Sequence, residues 1–185
     1  MLSRPDEAIR DVYFPVTTCL SVSAVSGSDA IEVALICNEG MLGIPLVLGL
    51  AISPVRTKVM VTGAAWRVQA GNFRALLSEH PELRHALDLY LAEFIQQVTA
   101  SVACAFFHLI EGRLARRLLM AHDRAPSDSF HMTHATLAEI LGVRRSGVSV
   151  AAGVLQSKKL IHYSRGGITV LDRSGLERAA CACLA

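Results

Sequence analysis

The chain opens without a secretory signal: residues 1–10 are polar and contain no apolar core segment. It also lacks a long hydrophobic run. The most apolar stretch, Met41 to Ile52, falls short of the ~20 residues that a bilayer requires, and glycines and Pro45 interrupt it. A cytoplasmic protein with no membrane partner is expected. The five cysteines (Cys19, Cys37, Cys104, Cys181, Cys183) are odd in number, widely spread and free of any C-x-x-C pair. That pattern indicates neither a disulfide framework nor a zinc or iron–sulfur site. Cys181 and Cys183 read as small apolar packing on a last helix, with a metal or redox role as the alternative. There is no P-loop and no dinucleotide fingerprint, and Ser28-Asp29 and the scattered histidines have no nucleophile–base spacing. No axial haem pattern stands out among the histidines. The expectation is therefore no enzyme, no catalytic residue, no metal site and no cofactor.

What is present suits a globular chain of one or two domains. Of 185 residues, 52% are hydrophobic and 18% charged, which favours a packed core over disorder. The net charge of +2 is unevenly distributed. Residues 1–110 hold 7 basic and 10 acidic side chains, and residues 111–185 hold 11 and 6. The C-terminal part is the candidate binder of an acidic polymer.

That part carries the most informative pattern. Leu137, Ala138 and Leu141 form a short apolar helix face, Gly142 supplies a turn, and Val143, Val148, Ala151, Ala152 and Leu155 form a second face. Two short helices around a glycine turn make a helix-turn-helix. Its second helix would expose Arg144, Arg145, Ser146 and Ser149, which suit phosphates and base edges. From Gly142 to Leu171 there are five Lys or Arg residues and no acid, an electrostatic footprint for phosphate. Residues 160–163 and 168–171 are β-prone runs flanking Arg165-Gly166-Gly167, which predicts a hairpin and hence a wing. The bland alternative is a small helical domain with a basic surface.

Upstream, Val12 to about Ala70 reads as short strands and tight turns, with alternation over residues 20–25 and 31–35. A small antiparallel roll or barrel is expected. Asn72 is the expected cap of a short helix through Leu77. From Pro81, Leu83, Leu87, Leu91, Phe94, Val98, Val102, Ala105 and Leu109 recur at helical spacing, and no Pro or Gly intervenes before Gly112. One helix of roughly 28 residues, about 40 Å long, is predicted. Its seam is longer than one small subunit should bury, so a coiled-coil-like homodimer is expected, with packing on the chain's own roll as the alternative. Gly112 is read as the bend before a further helix.

Thr133-His134, Leu137 to Arg145, and Ser164 to Asp172 resemble the C-terminal domain of bacterial Crp/Fnr-type transcription regulators. The likeness is specific over residues 132–177 and weaker back to about Val12. It implies an α+β chain: a partial antiparallel β-roll of the cyclic-nucleotide-binding kind, a long dimerisation helix, and a C-terminal winged helix-turn-helix. The corresponding domains are 1–80, 81–110 and 111–185. It also implies double-stranded DNA, a second copy of the chain and RNA polymerase as partners. Arg145 matches a base-reading position, Thr133 and His134 match phosphate anchors, and Lys158, Lys159 and Arg165 are further phosphate candidates near the wing. Val150 stands where a second base-reading Arg is frequent in the family.

Residues 40–57 resemble the family's phosphate-binding cassette. Gly43, Arg56 and Thr57 become candidate effector contacts for an unidentified small molecule. Ile44 stands where cyclic-nucleotide binders have a ribose-holding Glu, so tight cyclic-nucleotide binding is not expected. The family has further strands before the segment resembling Val12 to Pro15. An incomplete roll, strand exchange between subunits, a partner-covered surface and a fragment all remain open. The rival function is a protein-interaction or regulatory module with a degenerate effector domain and no specific DNA binding.

Overall fold

The computed structural model describes residues 1–125 and 127–183. The chain divides into two compact units, Met1–Thr99 and Ala100–Ala185. The first unit contains β1 (Asp11–Pro15), β2 (Cys19–Ser26), β3 (Asp29–Ile36), α1 (Ile44–Val47), β4 (Arg56–Val61), β5 (Ala65–Gln69) and α2 (Ala70–Glu79). Then α3 (Pro81–Phe107) begins, and the division between the units falls within it. β3, β2 and β4 form one antiparallel sheet in that order, and β1 pairs antiparallel with β5. The predicted roll is present, joined by short turns such as the two-residue Gly27-Ser28 connection between β2 and β3.

The alternation expected in β2 is not the observed burial. Residues 19–23 are all buried, because β2 is the central strand and is covered on both faces. One core cluster gathers Val12, Met41, Leu46, Val47, Phe73 and Leu87, and another gathers Leu20, Val22, Ala34 and Ile36. Asn72 does not cap α2. The helix starts earlier, at Ala70, with Gln69 in the cap position.

The cysteine reading needs correction. Cys19 and Cys37 are joined by a disulfide, with Cα atoms 4.3 Å apart. The neighbouring pair Leu20↔Ile36 is in register on β2 and β3, so the ladder itself sets the two cysteines face to face. Spacing within the sequence could not reveal this, since it depends on hairpin register.

The seam of α3 is also used differently. Leu83, Leu87, Phe94 and Val98 pack on the roll, and the Gln97 side chain completes this face. Its carboxamide accepts from Leu35 N–H at 3.2 Å and donates to Leu35 C=O at 3.3 Å, pairing with β3 as another strand would. A different apolar set is left outward: Leu89, Ile95, Val102 and Phe106 are 57%, 56%, 48% and 82% exposed. With Ala92 and Thr99 they recur every three or four residues along one stripe. By length and composition α3 is apolar enough to cross a membrane, although its apolar residues are interspersed with polar ones rather than forming one continuous run.

The second unit continues with α4 (Ile110–His122), β6 (Ser129–His131), α5 (His134–Leu141), α6 (Arg145–Ser157), β7 (Ile161–Ser164), β8 (Gly167–Val170) and α7 (Arg173–Ala179). The break between α3 and α4 lies at His108-Leu109, and Gly112 is inside α4 rather than at the bend. Leu114, Leu118 and Leu119 of α4, Leu137 of α5, Val148 and Leu155 of α6, and Leu176 of α7 are fully buried or nearly so. Arg113, itself buried, donates to the Leu141 carbonyl at the C-terminal end of α5, where unpaired carbonyls favour a cation. The predicted hairpin is β7–β8. It is joined by β6, a short strand that the sequence pattern does not mark, in the order β6-β8-β7.

Candidate nucleic-acid interface

Local chemistry holds several of the predicted contact side chains. Thr133 caps α5, its hydroxyl accepting from Thr136 N–H at 3.1 Å. The capping hydroxyl keeps its own proton and lies 3.0 Å from Thr136 Oγ1, so the exposed N-terminal turn of α5 offers backbone N–H groups together with this pair of hydroxyls. Gly142 closes α5 in the left-handed conformation, φ 62° and ψ 41°, which a side chain would resist. The turn then delivers Arg144 as the cap of α6 and Arg145 as its first residue.

Arg144, Arg145, Ser146, Ser149 and Val150 are all exposed on α6 or at its start. Among the described residues, neither arginine is in an ion pair. Val150 is 69% exposed, an apolar contact surface on a helix otherwise offering polar groups. The buried side of the same helix carries Val148, Ala151, Ala152 and Leu155. The small residues there let α6 lie close to its neighbours: a Cβ on Gly147 would come within 3.1 Å of Ile110 Cδ1.

His134 is the most constrained of the predicted contacts. Its ring stacks on Tyr163 of β7, centroids 4.0 Å apart and planes 16° apart. Its Nδ1 is 2.9 Å from Ser149 Oγ, and that hydroxyl also donates to the Arg145 carbonyl at 3.1 Å. His134 thus links the first helix, the recognition helix and the wing. Burial lowers its pKa from the usual histidine value, and the Arg145 charge adds to the shift. Tyr163 is not among the residues that the sequence singles out. Its backbone N–H is fixed by Gln156 Oε1 at 2.8 Å, so wing and α6 are tied twice. No local pattern marks such a stack, because its partners are far apart in sequence.

The wing turn is Arg165-Gly166, with φ of 48° and 87°. Positive φ at both central residues is the two-residue hairpin turn matching strand twist, and it projects Arg165 at the tip. Lys159 is exposed, also with positive φ. Lys158 differs from expectation: Glu111 of α4 pairs with it at 2.5 Å. The acid-free run is thus partly neutralised by a residue outside it, and Lys158 is the weakest phosphate candidate of the set.

The effector candidates lie in the first unit. A cleft of about 510 Å³ opens between the roll and α3, lined by Met41, Leu42, Ile44, Val55, Phe94 and Val98 among others. Gly43 is in its wall, but Arg56 and Thr57 are not. Thr57 is fully buried in β4, its backbone paired with Leu2 and Ser3. The cleft has a single charged lining residue, Asp11, and no cation. Such a surface suits an apolar guest and offers nothing to neutralise a phosphate.

A roll, a long helix and a winged helix-turn-helix follow one another along the chain. Residues 112–179 match the Crp-like helix-turn-helix domain family. Solved structures of similar fold include a transcriptional regulator assigned to the Crp/Fnr family from Eubacterium rectale ATCC 33656. It has TM-score 0.80 and 17% identity, over 95% of this chain and 86% of that one. FixK2 from Bradyrhizobium japonicum aligns with TM-score 0.77 and 16% identity, over 97% and 91%. A CRP-family transcriptional regulator from Thermus thermophilus aligns with TM-score 0.78 and 21% identity, over 99% and 97%. No curated protein is detectably similar in sequence. The chain has the fold of the Crp/Fnr transcription regulators and carries their helix-turn-helix domain.

Proposed function

We propose that the protein is a cytoplasmic, DNA-binding transcription regulator acting as a homodimer on an inverted-repeat site. The observation that carries this reading is the exposed face of α6. Arg144, Arg145, Ser146, Ser149 and Val150 stand together on it, free of acidic partners, beside a wing tipped by Arg165. Arg145 is the base reader, its planar fork suiting guanine O6 and N7, while Val150 offers a methyl-sized apolar contact for thymine. The N-terminal turn of α5, Lys159 and Arg165 are phosphate contacts, with Lys158 secondary, while His134, its Nδ1 held by Ser149 and its Nε2 buried, orients α6 and the wing behind them. Two copies would place their recognition helices ~34 Å apart, one helical turn of DNA.

Dimerisation rests on the outward stripe of α3. One face of this helix is already spent on the roll, which favours a second protein surface over a bilayer as cover for Leu89, Ile95, Val102 and Phe106. The effector reading also changes in emphasis. The cleft beside α3 suits an apolar small molecule, and Gly43 is the one predicted contact in its wall. RNA polymerase is the downstream partner that the fold suggests.

Selection of bound DNA from a random pool, followed by affinity at several salt concentrations, tests the proposal. A two-fold symmetric consensus is expected. Arg145→Ala should cost about 1–3 kcal/mol on that site and relax one base pair per half-site, whereas Arg165→Ala should weaken all sequences alike. A pool that never enriches, or an Arg145→Ala protein with unchanged preference at fixed salt, overturns it in favour of an interaction module.

A further inference from the structure

Four side chains with no part in DNA reading converge in the second unit. Cys104 lies in the last turn of α3, and His108 follows four residues later, just past the helix end. Cys181 and Cys183 lie beyond α7 rather than on it, in the chain's last described turn. Cys104 Sγ is 3.5 Å from Cys181 Sγ, and Cys183 Sγ is 3.5 Å from His108 Nδ1. The four donor atoms all lie within 4.8 Å of one another. None of the three cysteines is in a disulfide.

From this cluster we propose that Cys104, His108, Cys181 and Cys183 form a tetrahedral site for a thiophilic divalent ion, with Zn²⁺ the best chemical fit. Three thiolates and one imidazole are a soft donor set of a kind that structural zinc sites use. The dimensions agree. Zn–S bonds of ~2.3 Å and a Zn–N bond of ~2.0 Å require tetrahedral edges of about 3.8 Å between sulfurs and about 3.5 Å between sulfur and nitrogen. Two edges already stand at 3.5 Å, and the widest must contract by roughly 1 Å, well within side-chain rotation.

The surroundings are built for the approach. Cys181 N–H donates to the Gly112 carbonyl at 3.1 Å, pinning the tail to α4. A Cβ at position 112 would sit 3.3 Å from that nitrogen and 3.4 Å from the Ala179 carbonyl oxygen, so glycine keeps this passage open. Arg116 reaches Cys104 Sγ at 4.0 Å. Three thiolates on a divalent ion leave one net negative charge, and a guanidinium against one of the sulfurs offsets it.

Cys104 and Cys181 are 77 residues apart in sequence, and the winged helix-turn-helix lies between them. An ion there closes that whole unit at both chain ends, and its binding free energy adds to the stability of the unit. The site stands or falls independently of DNA binding, because its test uses no DNA.

The test uses the full chain, purified under reductant and stripped of metal, titrated with Co²⁺ and then Zn²⁺. One cobalt per chain is expected, with thiolate-to-cobalt charge transfer and the strong d–d bands of a tetrahedral ion, displaced by one equivalent of zinc. Cys183→Ser and His108→Ala replace half-buried groups outside the packed core. Each should weaken cobalt binding by roughly tenfold or more and shift the d–d bands. Zinc should raise the Tm of the wild type and leave the doubly substituted chain unmoved. A six-coordinate cobalt spectrum, no uptake by folded reduced protein, or variants whose affinity and spectra equal those of the wild type would each overturn the assignment.

Discussion

Removing the Cys19–Cys37 bond should lower the stability of the roll by about 3 kcal/mol. The bond joins residues 18 apart in sequence, the start of β2 to the residue after β3. Cross-linking a loop of that size removes about 11 cal/mol/K of entropy from the unfolded chain, which at room temperature is about 3 kcal/mol. The native side should change little. The ladder pairs from Leu20↔Ile36 onward hold the two positions together without the bond, so reduction acts through the unfolded state. The assay is urea unfolding with and without a phosphine reductant, alongside Cys37→Ser. The chain's one tryptophan, Trp66, lies on β5, so its fluorescence anisotropy reports this unit and not the second one.

With a urea slope of ~2 kcal/mol/M for a unit of this size, the midpoint should fall by roughly 1.5 M on reduction. Cys37→Ser should fall equally and no longer respond to reductant. Mass spectrometry of the starting protein fixes the redox state. Oxidised protein with an unmoved midpoint would refute the entropy argument, and free thiols at both Cys19 and Cys37 in air-purified protein, five per chain rather than three, would refute the bond. The outcome bears on compartment. A reducing cytosol keeps most thiols unpaired, so a cytoplasmic chain would carry a less stable, redox-dependent roll.

Leu89→Glu with Val102→Glu should convert a dimer to a monomer in sedimentation without loss of helix, because both side chains are exposed and neither lines the cleft; a monomeric wild type at micromolar concentration would remove the dimer. Cyclic AMP should show no calorimetric binding to the wild type, since the cleft presents no cation and Ile44 stands where the ribose-holding carboxylate would be; a submicromolar Kd would contradict this. For His134, the folded pKa lies below the unfolded value of 6.5. Its contribution is therefore complete above pH 6.5 and is lost as pH falls through the folded value, so His134→Gln should flatten the acid limb of thermal stability. An acid limb unchanged by that substitution would show that the Tyr163 stack does not hold the ring neutral.

The second unit was legible because its signals are local. Gly142 at a helix end, the apolar set on α6, and Arg165-Gly166 between two strands each occupy a handful of consecutive residues. Side-chain chemistry within one turn of helix or one hairpin decides them, and tertiary packing agrees. The roll was legible as a class of structure but not in detail. β2 reads as half-exposed by alternation, yet its central place in the sheet buries both faces over residues 19–23. The seam of α3 shows the same limit. Its spacing predicts an apolar face, but only the position of β3 and Gln97 reveals that the roll takes that face and leaves another exposed.

What stayed hidden has one physical cause: pairs made by the return of the chain rather than by its local run. Cys19 meets Cys37 through hairpin register, and Lys158 meets Glu111 through the packing of α6 on α4. His134 meets Tyr163 across the wing, and Cys104 with His108 meets a tail more than seventy residues away. Counting spacings along the sequence finds a metal or disulfide motif only when both halves lie on one loop. The Cys104 and His108 pair had a local signature after all, four residues apart and hence on one face where the helix ends, and so had Cys181 and Cys183, one residue apart. Each half alone has only two donors, too few for a tetrahedral ion. The close approach of the tail at Gly112, invisible as spacing, makes them four.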